Sequence, residues 1–505
     1  MDCIVTLDIG TTKVKASAFD MSANLIGWRQ GTYPTFHPQP DYSEQDSEQI
    51  FLTVLYALKS LLNDELGKKY HPSALVFGAS MHSVLPIDKQ GVPLRNAVIW
   101  ADNRGRNEAN ALKQAPEGKL IYEATGTPLH PMSPLAKICW FHNHTPPTWF
   151  EKVYKFISIK EYVIYQLTGQ LVIDHSIASS TGLFNIHTLT WEKLALDFAG
   201  IKPQQLSELV PIDFGELKLK KEYVRLFRLT SATKVIVGAS DGCLATLGAG
   251  VVTEGDATIT IGSSGAMRVA GNQVIQDSQQ RFFNYLLTKG KYISGGPTNN
   301  GGVVFEWFVQ QFGTSGIHLD MDYTIKQLLM EAERVPAGAG GLLFLPYLLG
   351  ERAPLWNANA RGAYIGANIT HERRHFIRAT VEGIVYEIYS IGKLLQQYRS
   401  IQNLYINGAY ATLPLFAQVL SDVFGKTVYI NDKHDSASAG AALLGLTHLG
   451  IFKDLEDAAR TIRSVETYQP NLTHHERYGR FAEIFERLSY KLSEDFDALV
   501  ALQTP

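Results

Sequence analysis

Two short stretches of the chain carry the same pattern of residue types: Leu7-Asp8-Ile9-Gly10-Thr11-Thr12 and Ile259-Thr260-Ile261-Gly262-Ser263-Ser264. Each closes an apolar, β-branched run with a glycine and two hydroxyl residues, so a strand should run into a tight turn. Glycine lets backbone N–H groups come close to an anion, and the hydroxyls add donors. The chemistry such a turn suits is the holding of phosphate. The copies stand half a chain apart, Gly10 against Gly262 in 505 residues. Two cradles, one per half, suggest one phosphate chain held between the halves.

Two carboxylates have positions that could serve this chemistry. Asp8 lies two residues before the first glycine, where the second copy has Thr260. A carboxylate beside phosphate is repelled unless a cation lies between them, which makes Asp8 a candidate partner for Mg²⁺, through water. Its bland alternative is a turn-capping aspartate. Asp241, in Gly238-Ala239-Ser240-Asp241-Gly242-Cys243, falls where a strand should end and a helix begin. It can stabilise that helix start by charge alone. It can also take the proton of an attacking hydroxyl, as phosphoryl transfer to an alcohol requires.

Bulk properties limit the ligand. Length alone calls for roughly two to four domains. The composition is that of a globular protein, 45% hydrophobic and 19% charged, and the net charge of −3 offers no basic field for nucleic acid or anionic lipid. The three cysteines, Cys3, Cys139 and Cys243, have no metal-ligand or redox spacing and read as buried thiols in a reducing compartment. Without a basic n-region and long h-region at the start, or any apolar run near 20 residues, the expectation is a cytoplasmic protein with no membrane partner.

The elements that must position these residues alternate between strand and helix, so the class is α/β. Lys13 to Phe19 alternates as the return strand of a hairpin, where a Rossmann or P-loop unit would place a helix. Apolar residues between Asp46 and Asn63 recur at helical spacing behind a capping Asp46 or Ser47. Ala74–Ala79 reads as a buried strand ending at Ser80-Met81-His82, and Ala97–Trp100 as another ending at Asp102-Asn103-Arg104. Residues 151–168 and 372–398 read as helices, Val235–Gly238 and Leu404–Ile406 as strands. The glycine-rich stretch from Gly248 to Asp256 is the candidate domain boundary.

Other motifs fail on inspection. Phe424-Gly425-Lys426-Thr427 mimics the end of a P-loop, but Leu420 stands where its first glycine belongs. Gly338-Ala339-Gly340-Gly341 meets Leu343 where a dinucleotide motif needs glycine. His142/His144 and His474/His475 lack metal-ligand context and read as surface residues.

Taken with Asp8-Ile9-Gly10-Thr11-Thr12, the segments Trp100-Ala101-Asp102-Asn103-Arg104, Gly238–Gly250, Gly262-Ser263-Ser264-Gly265, Gly350-Glu351-Arg352-Ala353-Pro354 and Ala437–Gly445 resemble the FGGY family of carbohydrate kinases over essentially the whole chain. The resemblance implies two ribonuclease-H-like domains of the actin and hexokinase ATPase fold, at 1–250 for sugar and phosphate and at 251–505 for nucleotide, closing over ATP and Mg²⁺. It implies Asp241 as catalytic base and Asp8 as the metal-associated carboxylate. Gly10, Thr11, Thr12 and Lys13, with Gly262 and Ser263, would meet the phosphates. Gly302, Gly408 and Ala409 would line the nucleoside site, with an alanine at 409 where the family usually has a second glycine. The sugar pocket falls on Met81, His82, Trp100, Asp102, Arg104 and Asp241.

Ser80-Met81-His82-Ser83 together with Ile99–Arg104 is most similar to the gluconate kinase branch, and xylulose kinases share part of the pattern. The expected reaction is ATP-dependent phosphorylation of the primary hydroxyl of D-gluconate to 6-phosphogluconate, the alternative D-xylulose to its 5-phosphate. Outside the class stands a nucleotide-switched binding protein of the actin or chaperone kind. Arg104, Lys137 or Lys160 could neutralise a gluconate carboxylate by a charge-assisted bond. Arg104 could equally pair with a neighbouring acid. The oligomeric state stays open, a homodimer among the alternatives.

Overall fold

The computed structural model of the chain describes residues 1–312, 321–432 and 435–503. These form two compact units that do not follow the two halves of the sequence. The first comprises Met1–Val252, Gly271–Ser294 and Asp435–Ile462, the second Thr253–Ala270, Gly295–His434 and Arg463–Pro505. The chain therefore returns to its first unit near the end. The reason is the helix Ser436–His448, rich in small residues, which packs on the helix Asp241–Gly248 and on two central strands of the first unit.

In the first unit, strands β1 (Asp2–Ile9), β2 (Lys13–Asp20) and β3 (Leu25–Thr32) form an antiparallel meander. A two-residue strand, β4 (Glu44–Gln45), then precedes helix α1 (Ser47–Lys59). Asp46 caps that helix by accepting the Glu48 and Gln49 amides, and Ile50, Phe51, Val54, Ala57 and Leu58 form its buried face. Past Lys59 the helix loosens into a π-turn over Ser60–Glu65. Strand β5 (His71–Ala79) lies parallel to β1, and Lys234–Ile236 lies parallel to β5. The sheet order is Lys234–Ile236, β5, β1, β2, β3.

Because β1 sits centrally with helices on its faces, Ile4, Val5, Leu7 and Ile9 are all buried. Full burial of such a side chain is worth about 1.5–3 kcal/mol. The strand end that carries Asp8 and the turn after it are thus anchored by the core.

The second unit repeats the same order of strands. Gly255–Ile261 pairs antiparallel with Gly265–Gly271 and parallel with Ile401–Asn407, which in turn runs parallel to Val428–Asn431. The duplicated sequence motif is therefore a duplicated topology, with each cradle at the tip of a hairpin beside parallel strands.

Some sequence expectations need correction. Residues 151–168 do not form one helix: Lys155–Ile157 is a strand paired antiparallel with β6 (Leu85–Ile87), and the helix is Ile159–Thr168. Ser158 separates them through a capping box, its hydroxyl accepting the Glu161 amide while the Glu161 carboxylate accepts the Ser158 amide at 2.6 Å. The strand expected at Ala97–Trp100 shrinks to β7 (Ala97–Val98), which pairs with β4. The long helix at 372–398 is Arg373–Leu395. All three cysteines are buried free thiols.

Gly425 is the left-handed C-cap of the helix Pro414–Phe424. His474 and His475 are not free surface groups, since both bond Asp422, one at its carboxylate and one at its carbonyl.

Candidate active site

In the first unit the β1–β2 hairpin closes over Gly10–Lys13 with the Gly10 amide donating to the Lys13 carbonyl at 3.0 Å. The glycine N–H is thus spent inside the turn, contrary to the expectation that it would reach an anion. The second cradle does the same, Gly262 donating to Ser264 at 3.0 Å. What each turn presents instead is its tip, where Thr12, Lys13 and Ser263 are exposed.

Asp8 faces Lys15 across the hairpin, and Lys15 binds the Asp435 carboxylate at 2.6 Å. Asp435 caps the helix Ser436–His448 through the Ser438 amide and hydroxyl. Burial opposes its charge, but Lys15 and these donors hold the Asp435 carboxyl below the usual carboxylate range. Asp8 feels Lys15 and Lys13 only through space, and their pull is too small to offset its burial. One of its oxygens, Oδ1, is buried without a hydrogen-bond partner. Burial first, then the Asp435 and Asp241 carboxylates, push its carboxyl up to about 8. A buried oxygen in a negative field is what a divalent cation would relieve, so the residues fit Mg²⁺. Among the described residues no three acidic, histidine or cysteine side chains form a direct cage. Phosphate oxygens and water would supply the remaining ligands.

Asp241 opens the helix Asp241–Gly248, and its placement is built from several sides. Gly238 has φ +72°, and a Cβ there would lie 1.8 Å from the Phe77 carbonyl oxygen, so only glycine allows the chain to turn this tightly beside β5. Ser240 caps the helix and bonds Ser176 at 2.9 Å. The buried Lys160 ammonium reaches the Ala239 carbonyl at 3.1 Å and Asp174 at 2.8 Å. Lys160 is consequently committed to its own acid. The Asp241 carboxylate accepts the Gly242 amide at 2.7 Å.

Of the residues carried over to the sugar pocket, Met81 is half-buried against an apolar cluster that includes Ile173, Ile177 and Phe184. His82 is buried with φ +70°, a backbone region that non-glycine residues rarely occupy and that gathers at functional sites. Its Nδ1 faces the Ser180 carbonyl at 2.8 Å, so Nδ1 carries the proton. Its Nε2 lies 3.1 Å from the Tyr285 hydroxyl. Both ring nitrogens are thus anchored by protein. Trp100 donates its indole N–H to the Thr11 hydroxyl at 2.9 Å.

Asp102 and Arg104 are bound to each other, and Arg104 Nη1 is buried without a hydrogen-bond partner among the described residues. The Arg104 guanidinium binds both Asp102 oxygens at 2.8 Å and Glu44 at 2.6 Å, and it lies 3.9 Å from the Tyr42 ring centroid. Of the two readings of Arg104, the structure holds the one in which it pairs with neighbouring acids. Lys137 is the contrasting cation. It is buried, forms no ion pair among the described residues, and donates to the carbonyls of His82, at 3.0 Å, and Met132. Burial lowers its ammonium to about 7.

In the second unit, the helix Gly302–Phe312 starts directly on the second cradle. Gly302 donates to the Gly262 carbonyl at 2.7 Å and Val303 to Ser263 at 3.1 Å. A Cβ on Gly302 would lie 2.1 Å from the Tyr410 ring. Gly408 has φ +92° at the end of its strand, and Ala409 is exposed. Asn300, just before the helix, bonds the Gly350 carbonyl and the Glu351 carboxylate, both at 2.7 Å. The Gly350-Glu351-Arg352 segment thereby fixes the loop leading into this helix.

Sequence reasoning missed Asp435, Lys15 and Tyr285, and also Gln45, whose side-chain amide donates to the Thr11 carbonyl. For Asp435 a signal existed, an aspartate two residues before the small-residue segment Ala437–Gly445 and placed to cap its helix. Tyr285 left none, because its role rests on a contact with a residue two hundred positions away.

Residues 3–248 match the model of the FGGY family of carbohydrate kinases, N-terminal domain, and residues 257–449 that of its C-terminal domain. The chain is an FGGY carbohydrate kinase. This family member is 35% identical to a gluconokinase of Bacillus subtilis, with 98% of this chain and 97% of that protein aligned. The fold superposes on gluconate kinase from Lactobacillus acidophilus with a TM-score of 0.92 at 30% identity, covering 99% of each chain. Ligand-bound xylulose kinase from the same organism gives 0.92 at 31% identity, covering 99% of this chain and 100% of that one. The FGGY kinase fold thus spans all of the chain that the two domain models match. Among its described residues, no helix is long and apolar enough to cross a membrane.

Proposed function

We propose that this FGGY kinase transfers the γ-phosphoryl group of ATP to the primary hydroxyl of D-gluconate, giving 6-phosphogluconate. The observation that carries the choice of acceptor is the end-to-end 35% identity to a gluconokinase. Asp241 takes the proton of the acceptor hydroxyl as its oxygen bonds to phosphorus, and ADP leaves. Thr11, Thr12 and Lys13 donate to phosphate oxygens from the first cradle and Ser263 from the second, where Gly262 shapes the turn that presents it. Gly302, Gly408 and Ala409 receive the nucleoside, while Met81, His82 and Trp100 line the acceptor pocket. Asp8 holds Mg²⁺, with Asp435 and Lys15 fixing its surroundings. When bound, the ion screens phosphate charge during transfer.

The positive field for a gluconate carboxylate comes from Lys137 in this reading, because Lys160 is paired with Asp174 and Arg104 carries ion pairs to both Asp102 and Glu44, whereas Lys137 has none among the described residues. D-xylulose is the second reading, favoured by the equal superposition on xylulose kinase. A coupled assay of ADP release across gluconate, xylulose, ribulose and glycerol separates the two. Gluconate should be the best acceptor by at least an order of magnitude in kcat/KM. Turnover of xylulose alone would overturn the assignment.

A further inference from the structure

The bond between Trp100 and Thr11 joins a residue of the acceptor pocket to a residue of the phosphate cradle inside one unit. An indole N–H can only donate, so the Thr11 oxygen is the acceptor. The threonine's own O–H must then point elsewhere. The bond takes one of the two lone pairs of the Thr11 oxygen and holds that oxygen in place, so its O–H is offered from a set position to a phosphate oxygen.

The same turn is gripped at two further points. Gln45 donates its side-chain amide to the Thr11 carbonyl, and Tyr33 donates its hydroxyl to the Gly10 carbonyl. Gln45 and Trp100 emerge from one ribbon. In it β4 pairs with β7, Gln45 opposite Ala97, and Trp100 follows β7 after one intervening residue. That ribbon is locked by the buried acids and the arginine. Asp102 accepts the Ser43 amide at 2.6 Å, and Arg104 bridges Asp102 to Glu44. The Asp102 and Arg104 side chains therefore have a use that needs no ligand, namely to keep Gln45 and Trp100 in fixed relation to Thr11.

We propose that Trp100 is the positioning residue of the Thr11 hydroxyl and that the β4–β7 ribbon couples acceptor binding to phosphate binding. An acceptor packed against Trp100 steadies the indole, and the steadied indole holds the Thr11 donor on the phosphate. The inference rests on the kinase reading above and adds to it a route by which one substrate tightens the other. Thermodynamic linkage requires that tightening to be mutual.

The experiment is a calorimetric titration of the whole enzyme with gluconate and with a non-hydrolysable ATP analogue plus Mg²⁺, each alone and in the presence of the other. In the natural protein each ligand should tighten the other at least about fivefold. Trp100→Phe keeps the ring and removes the N–H, and its mutual tightening should fall below about twofold, whatever happens to the separate affinities. Thr11→Val should lose it likewise, and Thr11→Ser, which keeps the hydroxyl, should retain it. Tightening undiminished in Trp100→Phe and Thr11→Val, or absent from the natural protein, overturns the coupling. If the natural protein phosphorylates no acceptor, the kinase reading falls and this inference with it. If it does phosphorylate one and Trp100→Phe keeps the tightening, the inference alone falls.

Discussion

Arg104 holds Asp102 by two hydrogen bonds of 2.8 Å, and both side chains are wholly shielded from solvent. Such a pair is costly to break from one side, because the remaining charge is left buried and unpaired, at about 3–5 kcal/mol. Arg104→Gln should therefore lower stability by that amount in chemical denaturation, and adding Asp102→Asn should recover part of the loss. A variant that denatures normally yet fails to bind gluconate would instead mark Arg104 as a direct ligand cation.

Asp241→Asn keeps the shape of the side chain and removes its capacity to accept a proton. General-base removal costs about 10²- to 10⁴-fold. Acceptor-dependent ADP release should fall by that factor, while nucleotide affinity by calorimetry stays within a few-fold. Full activity would exclude Asp241 as the base.

Lys137 provides a pH signature. Its ammonium titrates at about 7 in the folded chain, below the ordinary 10.5, because burial disfavours the charge. The destabilising effect is fully present below 7, where both states are charged. Between 7 and 10.5 the unfolded chain binds the extra proton, so stability contributed by this site rises with pH. Denaturation free energies of the natural protein minus those of Lys137→Met should increase across that window. A flat difference would show that Lys137 keeps its ordinary proton affinity.

Gly302 starts its helix beneath the second cradle, with no room for a methyl group beside the Tyr410 ring. Gly302→Ala must displace either Tyr410 or the helix start, an overpacking cost of about 1–3 kcal/mol. Tyr410 is itself tied to Glu306 by a 2.7 Å bond, so it cannot swing away without loss. Nucleotide affinity should drop about tenfold or more, with the acceptor affinity of the free enzyme little changed. Equal loss of both would mean that the variant disturbs more than this contact.

Much of the fold was legible in local pattern. The duplicated hairpins, the helix behind Asp46 and the helix that begins at Asp241 announce themselves through β-branched runs, glycine turns and capping residues, signals that act over a few neighbours. The misreadings share a cause. Residues 151–168 look helical until Ser158 is seen to cap, and Lys155–Ile157 becomes a strand only because β6 is there to pair with it. Asp102, two residues from Arg104, was in plain view as a partner, but the second acid, Glu44, lies sixty positions away.

The sequence by itself determined the α/β class, the twin hairpin cradles and the residue types of a phosphoryl-transfer site, because periodicity and turn chemistry are written in adjacent residues. Only the tertiary structure decided which polar groups stay available. It committed Arg104 to Asp102 and Glu44, tied both His82 ring nitrogens, left Asp8 Oδ1 without a partner and set Trp100 on Thr11. A buried polar group must find its partner wherever the fold brings one, and that search runs through space rather than along the chain.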